Sequence, residues 1–233
     1  MRRKVLFVNG EFYHIFNRGT DKRNIFSDKN DAFRFLESIE VFNNIEAGNN
    51  IFRTHRLKNG LGPTQSNPEK IEKKEPIVNI ICYCLNSNHY HFILEQLVDG
   101  GISEFMKRLG GGYTCYYNER HKRSGVLFQG KFKAAHIKSN EQLLRLSSYV
   151  NLNNKVHQKF DKYKKNFLDL IANRSSWEEY IKKDNKYSIC KKDIILGQFK
   201  NREDYRKNAE DVIKEIKEMR YGEEVNSTGS DPV

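Results

Sequence analysis

The chain has 233 residues, enough for one ordinary domain with an appendage. Lys and Arg total 41 against 30 Asp and Glu, so the formal net charge is +11. No stretch approaches the roughly 20 apolar residues of a membrane-spanning helix, and the four cysteines form no dense framework. We therefore expect a cytoplasmic protein with no membrane contact, whose basic surface suits a nucleic acid.

Hydrophobic periodicity predicts seven elements along the chain. In chain order these are a strand over 11–18, a helix over 29–44, strands over 77–85 and 89–95, a helix over 102–120, a strand over 132–138 and a helix that begins after Ser139. The order is that of a split βαβ unit, so we predict an α+β fold. Its core would be a ferredoxin-like antiparallel sheet with helices on one face. The triple glycine Gly110 to Gly112 is a candidate break in the second helix.

The predicted elements divide the chain into a main domain and an extension. The main domain covers 1–157 and includes 46–76, a segment rich in Gly, Asn and charge that we interpret as a surface-loop insertion. Residues 158–220 are predicted to form a helical, basic extension. Residues 221–233 lack periodicity and are predicted to be disordered.

Two histidines stand one residue apart at the start of the strand predicted over 89–95. Alternation along a strand places His89 and His91 on one face and Tyr90 on the other. Two imidazoles about 7 Å apart along a strand can converge on one divalent ion. For an isolated His-x-His, a pair of hydrogen-bonded surface histidines is the commoner case, so this motif needs support from others.

A second motif, YVNLN, lies on the predicted helix after Ser139. Tyr149 and Asn153 are four residues apart and therefore share one helical face. A tyrosine hydroxyl can attack a phosphodiester, and an amide oxygen can complete the shell of a hard cation. The alternative is a half-buried aromatic side chain beside a polar cap.

Basic and aromatic residues alternate in segments that flank the predicted strands. Such segments suit a single-stranded backbone whose bases stack on aromatic rings, although solvated surface charge is the alternative for each residue. The candidate nucleic-acid-binding residues are Asn17, Arg18, Lys22, Arg23, Lys107, Arg108, Phe128, Gln129, Lys131 and Lys133.

Four of these segments occur in an order that resembles a known family. They are YHIFNRG at 13–19, LNSNHYHFIL at 85–94, LFQGKFK at 127–133 and YVNLN at 149–153. Together they resemble the single-tyrosine HUH transposases of insertion sequences, in the branch of REP-associated tyrosine transposases. The later segments SSWEEYI at 175–181 and LGQF at 196–199 also resemble that branch.

The resemblance implies a transposase that cuts and rejoins single-stranded or hairpin DNA with Mg²⁺ or Mn²⁺. It implies that His89, His91 and Asn153 bind the metal and that Tyr149 is the nucleophile. The tyrosine would become joined to a 5′ phosphate and leave a 3′ hydroxyl. The chain departs from the family where Leu85, Asn86 and Ser87 replace the usual Met-Pro before Asn-His, and where Asn154 replaces a proline.

Two alternatives remain open from the sequence. A transposase-derived protein that binds single-stranded nucleic acid without cutting it would carry similar basic and aromatic segments. Cys82 and Cys84 with His89 and His91 would form a zinc site, although their Cys-x-Cys spacing is tighter than usual. The sequence also leaves open whether the chain forms a homodimer.

Overall fold

A computed structural model describes residues 5–45, 75–156, 174–183 and 188–227. The strands are β1 Phe12–Arg18, β2 Val78–Asn86, β3 His89–Gln96 and β4 Lys133–His136. The helices are α1 Lys29–Phe42, α2 Gly101–Arg120, α3 Asn140–Asn151, α4 Asn153–Val156, α5 Trp177–Ile181, α6 Asp193–Leu196 and α7 Arg202–Ser227. The predicted insertion at 46–76 lies almost entirely outside these ranges.

The four strands form one antiparallel sheet in the order β2-β3-β1-β4. This order places β3 between β1 and β2, as a split βαβ unit requires. The predicted ferredoxin-like α+β class is therefore confirmed. The last strand is shorter than predicted, because only four residues of the segment 132–138 pair with β1.

Helices α1 and α2 cover one face of the sheet. Phe35 of α1 packs against Tyr90 and Phe92 of β3, and Phe105 of α2 packs against Phe92. Asp28 caps α1 by accepting hydrogen bonds from the backbone N–H groups of Asn30 and Asp31. This face holds the larger part of the aromatic core.

Helix α2 runs unbroken through the triple glycine, so the candidate break is wrong. A Cβ atom added at Gly112 would lie 2.6 Å from Cζ of Phe42, a residue of α1 whose side chain is fully buried. Glycine here lets α1 and α2 approach closely, and the packing outweighs its low helix propensity.

Helix α3 lies on the other face of the sheet, where it packs against β2 and β3. The prediction of helices on one face therefore applies to α1 and α2 but not to α3. Ser139 caps α3 by accepting from the backbone N–H of Gln142, as the capping-box pattern predicts. The Gln142 side chain in turn accepts from the backbone N–H of Lys138.

The C-terminal helices continue this second layer. The backbone N–H of Leu85 donates to Arg174 O at 2.8 Å, so the chain after α4 pairs with the outer edge of β2. Tyr205 of α7 is fully buried and accepts a hydrogen bond from Asn151 of α3 at 2.8 Å. Helix α7 extends to Ser227 and thus includes the first part of 221–233, for which we expected disorder. None of the helices in the described ranges has the length and apolar character to cross a bilayer.

Candidate active site

The two histidines of β3 point to the face that α3 covers. His91 is 8% exposed, and the ring centroids of His89 and His91 lie 5.2 Å apart. Nδ1 of His89 is 2.7 Å from Oδ1 of Asn88, whose amide Nδ2 donates to Lys22 O at 3.2 Å. Since an amide oxygen only accepts, His89 must donate from Nδ1. In neutral His89 the unprotonated nitrogen is therefore Nε2.

Asn153 lies beside that nitrogen. Its Oδ1 atom is 3.4 Å from Nε2 of His89 and accepts from Asn86 Nδ2 at 2.9 Å. Nδ2 of Asn86 also lies 3.1 Å from Nε2 of His89. The Asn86 amide group can therefore donate to both Asn153 Oδ1 and His89 Nε2. Asn153 is fully buried, and its own Nδ2 has no hydrogen-bond partner in the described part of the chain.

Tyr149, on α3, also lies against the histidines. Its ring is half-buried, with its centroid 5.9 Å from that of His91 at an interplanar angle of 81°. The guanidinium carbon of Arg220, on α7, lies 5.9 Å from the centre of the Tyr149 ring. The end of α3 thus sets Tyr149 against His91, and the start of α4 sets Asn153 against His89, although the sequence predicts one continuous helix for both.

His14 of β1 completes this cluster. Its Nε2 atom is 2.9 Å from Nδ1 of His91, and the two rings stack with centroids 5.1 Å apart. Burial lowers the pKa of His14 from 6.5 to about 4, because the imidazolium form loses its hydration there. His14 is therefore neutral at physiological pH.

The arrangement fits a divalent ion held by His89, His91 and Asn153. Two atoms bound at about 2.1 Å in neighbouring octahedral positions lie about 3 Å apart, close to the 3.4 Å between His89 Nε2 and Asn153 Oδ1. Oδ1 of Asn153 accepts one hydrogen bond from Asn86, and an amide oxygen has a second lone pair that a cation could use. Among the described residues, no group of three His, Cys, Asp or Glu side chains is placed to hold a metal, as the alternative zinc site of Cys82, Cys84, His89 and His91 would require.

Beyond α3, the described parts of the chain leave an uncovered surface on the histidine face of the sheet. Phe16 pairs directly with both His91 and Lys133, and directly opposed residues share a face. Phe16 is half-buried and Lys133 is exposed. Arg18 pairs with His89 and donates from Nε to Oε1 of Gln129. Three of the predicted nucleic-acid-binding residues, Arg18, Gln129 and Lys133, therefore border the histidines and tyrosine.

Four other predicted residues lie on the opposite face of the sheet. They line a groove of about 1420 Å³ between α2 and the loop before β4, and they are Asn17, Lys107, Phe128 and Lys131. Phe128 is 8% exposed and packs edge-on against Tyr90, so we correct its predicted role in base stacking to one in the core.

Of the remaining three predicted residues, Arg108 and Arg23 bond within the protein through their side chains, and Lys22 does so through its backbone oxygen. Arg108 pairs with Glu104 and donates to Asn44 O at 2.6 Å. Arg23 donates to Thr20 O at 3.0 Å, and Lys22 O accepts from Asn88. Lys22 and Arg23 therefore lie near the β2–β3 turn, at the rim of the histidine site.

Sequence reasoning assigned no role to four side chains of this cluster, namely His14, Phe16, Asn86 and Arg220. His14 and Phe16 belong to the motif YHIFNRG, and their position on the His91 face follows only from the pairing of β1 with β3. Asn86 was noted only as a departure from the family. Arg220 carried no sequence signal, because α7 is distant in the chain from all the motifs.

Comparison with known proteins supports the predicted resemblance. The family model described as "Transposase IS200 like" matches residues 65–153, which contain His89, His91, Tyr149 and Asn153. The matched part of the chain is therefore similar to that family. No curated protein matches the chain.

A solved structure of a REP-associated tyrosine transposase bound to a REP hairpin also resembles the chain. The TM-score is 0.44 and the sequence identity is 11%, over 82% of this chain and 97% of that one.

Proposed function

We propose that this IS200-like protein is a metal-dependent transesterase that cleaves and rejoins single-stranded or hairpin DNA through Tyr149. The observation that carries the proposal is the placement of Tyr149, near the end of α3, against His91 and of Asn153, at the start of α4, against His89. A protein that only bound nucleic acid would not need a tyrosine, two imidazoles and a buried amide oxygen within one cluster. The family match over the same residues supports the proposal.

In the proposed reaction the Oη atom of Tyr149 attacks the scissile phosphorus. The P–Oη bond forms while the bond from phosphorus to the 3′ oxygen breaks, which leaves a 5′-phosphotyrosine and a 3′ hydroxyl. Attack by a 3′ hydroxyl on the phosphotyrosine reverses the step. Because one phosphodiester replaces another, rejoining requires no ATP.

The residues around Tyr149 have distinct parts in this proposal. His89, His91 and Asn153 would hold Mg²⁺ or Mn²⁺, which polarises the phosphate when bound. Arg220 lies over the ring of Tyr149, where its charge would attract the phosphate. Arg18 and Lys133 would bind the backbone on the uncovered surface, and Phe16 would contact a base.

A denaturant-resistant protein–DNA adduct tests this function. The protein is incubated with a pool of single-stranded DNA hairpins and Mn²⁺, and the products are separated under denaturing conditions. We expect an adduct from the wild-type protein and none from Tyr149→Phe, which removes only the attacking oxygen. Tyr116→Phe is the matched control, because Tyr116 is a half-buried tyrosine on α2 at the opposite face of the sheet.

The metal requirement is tested in the same assay. Excess chelator and the double variant His89→Ala, His91→Ala should each abolish the adduct. An adduct that forms at the wild-type rate in Tyr149→Phe contradicts the nucleophile. Hairpin binding without any adduct would support a silent binding protein instead.

A further inference from the structure

His14 is a largely buried polar side chain in contact with a candidate metal ligand. It pairs with Ile93 across β1 and β3, so it lies diagonally from His91. Nε2 of His14 is 2.9 Å from Nδ1 of His91, within hydrogen-bond distance. The contact therefore engages Nδ1 of His91, so Nε2 is the nitrogen through which the proposed site would bind an ion.

The neighbouring histidine shows how such a contact acts. His89 donates from Nδ1 to Asn88, so in the neutral ring its Nε2 atom lacks a proton. Asn88 is itself oriented by its bond to Lys22 O. The hydrogen bond at one ring nitrogen thus determines which nitrogen can act as a ligand.

The pair formed by His14 and His91 has two possible arrangements of the shared proton. If His91 donates from Nδ1, its Nε2 atom carries a lone pair, as in His89. If His14 donates from Nε2, then neutral His91 carries its proton on Nε2 and cannot bind an ion there. Only the first arrangement allows both His89 and His91 to bind an ion through Nε2.

We propose that His14 is a positioning residue that accepts a hydrogen bond from Nδ1–H of His91 and fixes the tautomer in which His91 Nε2 can bind the metal. The inference rests on the proposed metal-binding role of His91. The stacking of the two rings at an interplanar angle of 16° adds a geometric restraint, since it fixes the plane of the His91 ring as well. Phe16 stacks on His91 at 23° and supports the same plane.

The first test needs no variant and no metal. Nuclear magnetic resonance of protein labelled with ¹⁵N at histidine distinguishes the two neutral tautomers of each imidazole. At pH 7.5 without DNA, we expect His89 and His91 both to carry the proton on Nδ1. A proton on Nε2 of His91 would overturn the proposal.

The second test measures Mn²⁺ affinity by electron paramagnetic resonance on the full chain without DNA. His14→Phe keeps a ring but removes both nitrogens, and we expect Mn²⁺ to bind about 10- to 100-fold more weakly. His14→Gln offers an amide oxygen as acceptor and should recover most of the affinity. His136→Phe, on the adjacent strand β4, is the control and should bind as the wild-type protein does.

The outcomes separate this inference from the proposed function. The positioning role is overturned if His14→Phe binds Mn²⁺ as tightly as the wild-type protein, or if His14→Gln binds it no more tightly than His14→Phe. The proposed function is unaffected by either result if His89→Ala still abolishes Mn²⁺ binding. If His89→Ala binds Mn²⁺ as well as the wild-type protein, the metal site of the proposed function fails as well. Melting temperatures of all variants show whether a loss of Mn²⁺ affinity reflects unfolding. If it does, the tautomer of His91 in the wild-type protein still decides the question.

Discussion

Phe16 and Phe128 show how burial assigns different parts to two similar residues. Both stand next to basic residues, but Phe16 is half-buried on the histidine face and Phe128 packs against Tyr90 on the other. We expect Phe16→Ala to weaken single-stranded DNA binding by about 1–3 kcal/mol, the usual value of one stacked base. Phe128→Ala should instead lower the melting temperature. Binding titrations and melting curves on both variants check this, and a normal affinity in Phe16→Ala would contradict the stacking.

His14 gives the stability of the protein a defined dependence on pH. Its pKa is about 4 in the folded protein and 6.5 in the unfolded chain, so the unfolded chain binds more protons between these values. Stability therefore falls as the pH drops through this window, by about 2 kcal/mol between pH 7.5 and 5 from His14 alone. Urea titrations should show a smaller fall in His14→Phe than in the wild-type protein. Equal falls would mean that His14 is not buried in its neutral form.

The residues that the sequence predicted correctly to lie together follow local rules. Alternation along β3 brings His89 and His91 to one face, and closeness in sequence brings Tyr149 and Asn153 to the same cluster, although α3 ends at Asn151 and Asn153 begins α4. His14 and Arg220 reach the same cluster through strand register and helix packing. Neither depends on local spacing, so the sequence alone could not place them.

At the scale of elements, two neighbouring glycines of α2 allow the effect of helix propensity to be measured apart from the effect of packing. A Cβ at Gly111 meets no atom within 4 Å, whereas one at Gly112 would collide with Phe42. We expect Gly111→Ala to stabilise the protein by up to about 1 kcal/mol through helix propensity. Gly112→Ala should destabilise it, because overpacking costs about 1–3 kcal/mol. Urea denaturation of the pair measures both signs, and stabilisation by Gly112→Ala would show that Phe42 can move aside.

The sequence predicted where α3 begins but not which face of the sheet it covers. The capping pattern at Ser139 indicated the start of α3, since a cap is set by neighbouring residues. The face that α3 would cover depended on the length and path of the chain after β4, which periodicity does not encode. For the same reason, the sequence could not show that 174–176 would pair with the edge of β2.

At the scale of the whole molecule, the C-terminal helices belong to the same core as the sheet. Tyr205 packs against Tyr180 with ring centroids 5.1 Å apart and accepts from Asn151 of α3. We expect Tyr205→Ala to destabilise the protein by about 3–5 kcal/mol, as for other large aromatic truncations. Tyr205→Phe should cost about 1–3 kcal/mol because it leaves the Asn151 donor buried without this partner. A single urea transition should report both losses, whereas two separate transitions would indicate an independent lobe.

The net charge of +11 should act most strongly where cations border the site. Each phosphate neutralised on a single strand contributes about 0.7 to the slope of log affinity against log salt. We expect Lys133→Ala and Arg18→Ala each to reduce that slope by about 0.7 for single-stranded DNA, since both residues lie on the histidine face.

Lys29→Ala provides the charge-matched control for this experiment. It removes the same unit charge from an exposed position at the start of α1, on the other face of the sheet. Its slope should equal that of the wild-type protein if binding is confined to the histidine face. Titrations at several salt concentrations, on matched single-stranded and duplex oligonucleotides, measure all three variants. Equal slopes for Lys133→Ala and Lys29→Ala would show that the net charge of the whole protein attracts the DNA. The DNA backbone would then follow no defined path across β1 and β4.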